Sequence, residues 1–284
     1  MMTYDRLVDG QVTGPSVHLL FGGDMLFDRA VRNTIDKKGG EYIFSCIDSK
    51  LADADVVVAN LEGPITSNGS VSATSTSGDK FNMLFTMPTS TASLLAAHRI
   101  GMVNLGNNHI MNFKRAGVLS TIAALDGAQV EHFGDPIYDN VVNKETDGVK
   151  FTLINYNEFG GKASSTIAHI HEARAAGMLP IVYTHWGIEY ATTSTTTQQK
   201  LAHQFIDEGA EIVIGSHPHV VQEHERYHGK YIYYSLGNFI FDQYFSDDVM
   251  HGLLLDVDIN DKGVQSVKEI PIVLKKDRRT CVVE

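Results

Sequence analysis

Cysteine is almost absent from this chain: Cys46 and Cys281 are the only two in 284 residues. A pair so far apart gives no disulfide framework. Cys46, inside the apolar helical stretch from Tyr42 to Leu51, reads as a buried free thiol, which is compatible with a reducing compartment. Positive charge is also in short supply, with 23 Lys and Arg against 34 Asp and Glu and a net charge of -11. That deficit excludes a nucleic-acid partner, whose phosphates call for clustered Lys and Arg. The one basic cluster, Lys275-Lys276-Asp277-Arg278-Arg279, reads as a solvated tail. Long apolar runs are missing as well. None reaches the ~18 residues of a membrane span, and the N-terminal MMTYDRLVDGQVTGPS has no apolar core of a signal peptide. As given, the chain reads as cytoplasmic, with a trimmed export signal left open.

What remains is an ordinary globular composition, 43% hydrophobic and 20% charged, on a chain long enough to bury a large core. Short apolar runs alternate with amphipathic stretches. Val17 to Phe21, Asp55 to Ala59, Gly101 to Asn104, Leu179 to Tyr183 and Glu211 to Ile214 are rich in β-branched residues and bounded by Gly or polar residues, as buried strands are. Helices are expected over Ile43 to Ala54, Pro88 to His98, Arg115 to Leu125, Thr166 to Ala176 and Thr197 to Glu208, with Gly177 and Gly209 placed as C-terminal caps. Such alternation implies helices on the faces of a parallel or mixed sheet. Beyond Lys230 the chain turns strand-rich, through Lys230 to Ser235, Asn238 to Phe241, Gly252 to Ile259 and Val264 to Leu274. Thr66 to Lys80, full of Ser, Thr and Gly, reads as a flexible loop. No repeat appears, and one domain over 1–284 is expected, its motifs lying in 17–245.

The chemistry sits where the strands end. In open α/β sheets, ligands collect at the carboxyl ends of strands, so residues distant in sequence converge there. Five runs end near Asp24, Glu62, Asn108, His185, and His217 with His219. Two carboxylates, an amide oxygen and three imidazoles suit Mn, Fe or Zn, with one or two ions expected. In an extended His217-Pro218-His219 both rings would point to one face. His109, beside Asn108, has the chemistry of a general acid. Each residue also has a plainer reading: Asp24 as a helix cap, Glu62 as a turn residue, Asn108-His109 as a capping turn, and His185 as a hydrogen-bonded core histidine. Their co-occurrence favours the metal centre. Trp186, Tyr190, Asn238 and Phe239 are candidate pocket walls, and Glu189 a candidate for orienting a ligand. His98, His203, His224, His228 and His251 read as structural or solvated, and His18 as a satisfied core residue.

The ordered blocks GGDMLFDR (from Gly22), NLEGPIT (from Asn60), NLGNNHIMNF (from Asn104), THWGIEY (from Thr184), IGSHPHVVQ (from Ile214) and YSLGNFIFDQ (from Tyr234) resemble the bacterial capsule-synthesis, or poly-γ-glutamate synthesis, family. That family is in turn similar to the calcineurin-like metallophosphoesterases. The resemblance implies an α/β four-layer sandwich, two mixed β-sheets flanked by helices. It implies Asp24, Asn108, His185, His217 and His219 as metal ligands, Glu62 as the carboxylate bridging two ions, and His109 as the acid. Leu26 stands where the related Asp-x-His motif has its His, and Asn-Leu-Glu replaces Gly-Asp-x-x-Asp, so one ion would have fewer protein ligands unless Asp28 or Asn60 compensates. Asn112-Phe113-Lys114 stands where the capsule family commonly has Asp-Tyr-Gly. The function implied is metal-dependent hydrolysis of a phosphoester or amide bond in a small-molecule or polymer substrate, one related to poly-γ-glutamate included. The alternative is a non-catalytic accessory role in making or exporting an anionic polymer.

Overall fold

Most strands lie over the apolar runs. The computed structural model describes residues 7, 8, 11, 12, 14–76 and 78–283. Leu7–Val8 (β1) pairs with Gln11–Val12 (β2) in a short ladder. There follow β3 (Val17–Met25), α1 (Arg29–Lys38), α2 (Glu41–Phe44), α3 (Asp48–Ala52), β4 (Val56–Leu61), α4 (Ser90–Ala97), β5 (Ile100–Asn104), α5 (Lys114–Gly127) and β6 (Glu131–Phe133). The second half holds β7 (Val142–Thr146), β8 (Val149–Asn157), α6 (Ala163–Ala175), β9 (Leu179–His185), α7 (Thr196–Asp207) and β10 (Ile212–Ser216). After them come β11 (His224–Tyr227), β12 (Lys230–Tyr233), β13 (Asn238–Ile240), α8 (Asp247–Met250), β14 (His251–Asn260), β15 (Gly263–Leu274) and β16 (Thr280–Val282).

Two mixed sheets result. The first runs β16-β15-β14-β3-β4-β5-β6, with β13 pairing to the end of β3. Its β3-β4-β5-β6 ladder is parallel and its β14, β15 and β16 pairings are antiparallel. The second runs β11-β12-β10-β9-β8-β7, parallel from β8 through β9 and β10 to β12. β4, β9 and β10 are buried along their whole length, because each parallel strand is covered on both faces.

The apolar clusters define the layers. Val17, Leu19, Phe21, Val58 and Phe133 of the first sheet meet Phe151, Leu153, Ile181, Tyr183 and Ile214 of the second in one cluster. The outer face of the first sheet packs through Leu20, Val57, Ala59 and Val103 on Val31, Phe44, Leu95 and Val118 of its helices. The outer face of the second packs through Ile154, Val182 and Val213 on Ile170, Ala202 and Phe205 of α6 and α7. Helix, sheet, sheet, helix: the α/β four-layer sandwich expected from the sequence is the architecture formed. Each buried Val, Leu, Ile or Phe contributes about 1.5–3 kcal/mol, so the middle cluster fixes the two sheets against each other.

Several local expectations are corrected. Cys46 is not a free thiol; it is bonded to Cys281, with Cα atoms 4.7 Å apart. The loop between α2 and α3 therefore meets β16 at the edge of the first sheet. The helix expected over 43–54 is two short pieces, interrupted around Cys46 where Ser45 turns its hydroxyl back onto the Tyr42 carbonyl at 2.9 Å. The basic cluster is no tail. It forms the turn between β15 and β16, closed by Lys275 N donating to Arg279 O at 2.8 Å, with Arg279 clasped by Asp277. Ser72, inside the segment expected as a flexible loop, is buried and donates to Asp28 at 2.6 Å. The expected helices also leave out α1, and the expected strands leave out β7 and β8. Among the described residues no helix is long and apolar enough to cross a membrane.

Candidate metal centre

The parallel strands of both sheets end at one place. β3 delivers Asp24, β4 delivers Asn60 and then Glu62, the turn after β5 delivers Asn108 and His109, β9 ends on His185, and β10 leads to His217 and His219. Tyr183 ties the sheets together just below, donating its hydroxyl proton to Gly22 O at 2.7 Å. Asp24, Glu62, His185, His217, His219 and His109 are buried, and Asn108 is half-buried.

One chain of contacts joins them. His219 Nδ1 lies 3.4 Å from Asp24 Oδ2, and its Nε2 lies 3.5 Å from Glu62 Oε1. His109 Nε2 lies 3.9 Å from the same Glu62 oxygen. His185 Nδ1 lies 3.9 Å from Asp24 Oδ1, while its Nε2 lies 3.0 Å from Asn108 Oδ1 and 3.2 Å from His217 Nδ1. The tightest group is Asp24, Glu62 and His219, whose ligand atoms lie within 4.8 Å of one another and could hold a metal ion.

His217 and His219 reach the site by a route other than an extended segment. Both have positive φ, 98° and 59°, so the backbone curls through Pro218 and their ring centroids sit 6.1 Å apart. The curl also turns His217 N toward Asp24 Oδ2, to which it donates at 3.0 Å. His217 thereby sides with His185 and the exposed Phe159 (centroids 4.7 and 4.4 Å), while His219 packs on Phe241 at 4.7 Å.

Asparagines build the floor. Asn60 donates to Asp24 Oδ1 at 2.8 Å, and its own oxygen accepts from Asn104 at 2.9 Å and Asn107 at 3.2 Å. Its side chain is thus engaged in orienting Asp24. Asn107 Oδ1 accepts the His109 and Ile110 amides at 3.1 and 2.9 Å, the turn that aims His109. Asn112 Nδ2 donates to Met83 O at 2.9 Å and to His109 Nδ1 at 3.2 Å. With Nδ1 accepting, neutral His109 carries its proton on Nε2, toward Glu62. Asn238 accepts from His219 Nδ1 at 3.0 Å and so orients that ring.

Three of the expected auxiliary residues do other work. Asp28 is buried under α1, where its Oδ2 accepts from Ser72 and from Thr86 N at 2.9 Å and so closes a loop. Trp186 and Phe239 are wholly buried and are not pocket walls. Each follows a site residue, so strand alternation turns it away, and Trp186 donates to Tyr234 O at 2.9 Å. Glu189 and Tyr190 lie at the rim, Tyr190 with its ring 6.0 Å from that of His219. Leu26, at the position of the missing histidine, packs with Phe85, Phe241 and Leu274.

Electrostatics reflect the crowding. Burial opposes the Asp24 charge, but the hydrogen bond and charge of His219 outweigh it and hold the carboxyl at about 2. Burial pushes Glu62 well above the usual carboxylate range; His219 opposes the rise, and Asp24 and Glu189 reinforce it. Burial also disfavours charge on His219, yet Glu62 and Asp24 raise it to about 9. Burial, with the nearby His219 charge, lowers His109 to about 3 and His217 to about 4. Burial and His217 hold His185 well below its ordinary value.

Glu62 supplies the test of fit. It is wholly buried, and neither carboxylate oxygen has a hydrogen-bond partner among the described residues. A buried carboxylate without donors is costly, and a divalent cation held with Asp24 and His219 would relieve it. The mixed carboxylate and imidazole set suits such an ion.

A family model described as "Bacterial capsule synthesis protein PGA_cap" matches residues 18–243, and the chain belongs to that family. It is 27% identical over 277 residues to the capsule biosynthesis protein CapA of Bacillus anthracis, covering 89% of this chain and 66% of that one. It is 29% identical over 243 residues to the PGA biosynthesis protein CapA of Bacillus subtilis, covering 78% of this chain and 63% of that one. The chain thus spans about two thirds of the length of these relatives. A solved structure, TT1561 of Thermus thermophilus, covers 90% of this chain and 98% of its own at 9% identity, with a TM-score of 0.46; that likeness is too slight to bear on function.

Proposed function

We propose that this chain is a metal-dependent hydrolase of phosphoester or amide bonds serving capsule or poly-γ-glutamate synthesis. The observation that carries the reading is Glu62, a buried carboxylate with both oxygens unsatisfied among the described residues, facing Asp24, His219 and His109. Asp24, Glu62 and His219 would hold the metal, with Asn108, His185 and His217 completing the set. When bound, a divalent ion lowers the pKa of water from 15.7 to about 7 and polarises the bond to be cut.

The chain's own residues have separable tasks. Asn60 and the His217 amide fix both oxygens of Asp24, so this carboxylate enters the site already oriented. Asn238 sets the His219 ring. His109, held by Asn112 and set at a tilt against Phe85 at 4.2 Å between centroids, keeps its Nε2 proton and would direct it as a hydrogen bond at the negative charge that develops on the substrate in the transition state. Phe85 and Phe241 close the apolar side of the site and exclude water there.

Metal content of the purified protein and of protein reconstituted with Mn tests the first half. Hydrolysis of bis(p-nitrophenyl) phosphate and γ-glutamyl-p-nitroanilide tests the second. The expected result is bound metal, turnover of one substrate, and a loss of at least 100-fold in turnover in His109→Ala with metal retained. Metal without turnover of either substrate would overturn the hydrolase and favour the accessory role. Failure to bind metal would remove both the site and its chemistry.

A further inference from the structure

Buried polar atoms that lack a hydrogen-bond partner among the described residues are few, and they gather unevenly. Glu62 Oε1 and Oε2, His109 Nε2 and Arg29 Nε belong to one neighbourhood. The carboxylate oxygens are acceptors that a cation satisfies. The two nitrogens are donors, because His109 accepts at Nδ1 and carries its proton on Nε2, and a guanidinium never accepts. What these two lack is an acceptor.

Arg29 is held in place by unusual means. As the first residue of α1 it has φ of 50°, a left-handed conformation that long side chains adopt at a cost unless their surroundings impose it. Its guanidinium carbon lies 4.9 Å from the Phe85 ring centroid and 5.6 Å from that of Phe241. The same two rings carry the site histidines, His109 on Phe85 and His219 on Phe241, with centroids 4.2 and 4.7 Å apart. One terminal nitrogen pairs with Asp242, which also accepts Ala30 N at 3.0 Å, and the other donates to Asn82 at 3.3 Å. With both terminal nitrogens engaged, the Nε edge is left over.

We propose that Arg29, together with the Nε2 proton of His109, binds an oxyanion oxygen of the substrate, phosphoryl or carboxylate, beside the metal centre. The inference rests on the hydrolase reading only in taking the centre to hold a metal. It adds a fixed positive group to a site that carries Asp24, Glu62 and Glu189 in a chain of net charge -11. A planar guanidinium positioned by stacking suits that task better than a flexible ammonium.

The test is a calorimetric titration of Mn-loaded protein with inorganic phosphate and, separately, with glutarate. At least one should bind, which separates phosphoryl from carboxylate recognition. Arg29→Gln should weaken that binding by about tenfold or more, and Arg29→Lys should recover part of it, Mn content being unchanged in both. Wild-type protein provides a check that needs no variant: the bound anion should slow phenylglyoxal modification of Arg29, read by peptide mass spectrometry. Equal affinity in wild type and Arg29→Gln without protection, or no binding of either anion, would overturn the proposal. Turnover with unchanged KM in Arg29→Gln would overturn it while leaving the hydrolase standing. Anion binding through Arg29 without turnover would support it while removing the hydrolase.

Discussion

Breaking the Cys46–Cys281 bond perturbs the fold far from the chemistry, and its effect can be worked out beforehand. The bond joins residues 235 apart in sequence. In the loop-closure treatment, a loop of that size removes about 5 kcal/mol of chain entropy from the unfolded state. The native side offers little to compensate when it is lost. Cys281 lies on β16, whose pairing with β15 covers only Ile272, Val273 and Leu274. At about 2–4 °C per kcal/mol for a chain of this size, the melting temperature should fall by roughly 10–20 °C. Circular dichroism melts with and without a phosphine reductant measure this, and a Cys46→Ser, Cys281→Ser double variant should reproduce the reduced melt. A shift below about 3 °C, or two reactive thiols in untreated native protein, would refute the reasoning. Disulfides persist in oxidising surroundings and are rare in the cytosol, so the bond weighs against the cytoplasmic reading.

Two further outcomes concern the frame of the sheets. Glu211 is buried at the start of β10 and engages Arg174 and Lys230; burial alone would raise its carboxyl, but Lys230 and Arg174 hold it below the ordinary 4.5. A lowered folded-state pKa means stability that is fully present above 4.5 and lost as the pH falls through the folded value. Glu211→Gln should therefore cost ~1 kcal/mol at neutral pH, with the gap to wild type closing in urea titrations at lower pH; a constant gap would contradict the pairing. Gly23→Ala would bring a Cβ to 1.9 Å from Gly237 O, where β13 joins β3 beside Asp24. A backbone carbonyl cannot yield as a side chain does, so a loss of about 3 kcal/mol, the upper end for overpacking, is expected in chemical denaturation. An unchanged midpoint would show that the two strands can separate there.

Much of the layered plan was legible because β-branched runs closed by Gly and polar residues carry a signal that tertiary packing reinforces. Asp24 and His219, which the fold brings together with Glu62, carried the same signal: each stands at or just beyond the end of such a run. Trp186 and Phe239 lie away from the site because alternation in a strand places neighbours in sequence on opposite faces. The β7–β8 hairpin carries its own signal, Asp147-Gly148, both with positive φ, as a tight hairpin turn favours. Asn112 gave no sign of its role, since a hydrogen bond to His109 depends on a short 3-10 turn over Ile110–Phe113. The Cys46–Cys281 bond could not be read at all. Nothing local records a contact between residues 235 apart in sequence.

Because Asp24 and Glu62 come from one sheet and His185, His217 and His219 from the other, the pocket straddles a seam. Sliding the layers by a single ångström would leave every strand intact and yet pull carboxylates away from imidazoles. The affinity for an ion bound there would therefore gauge the alignment between the two halves, and a substitution at Phe151, in the cluster between the sheets, should register in it first.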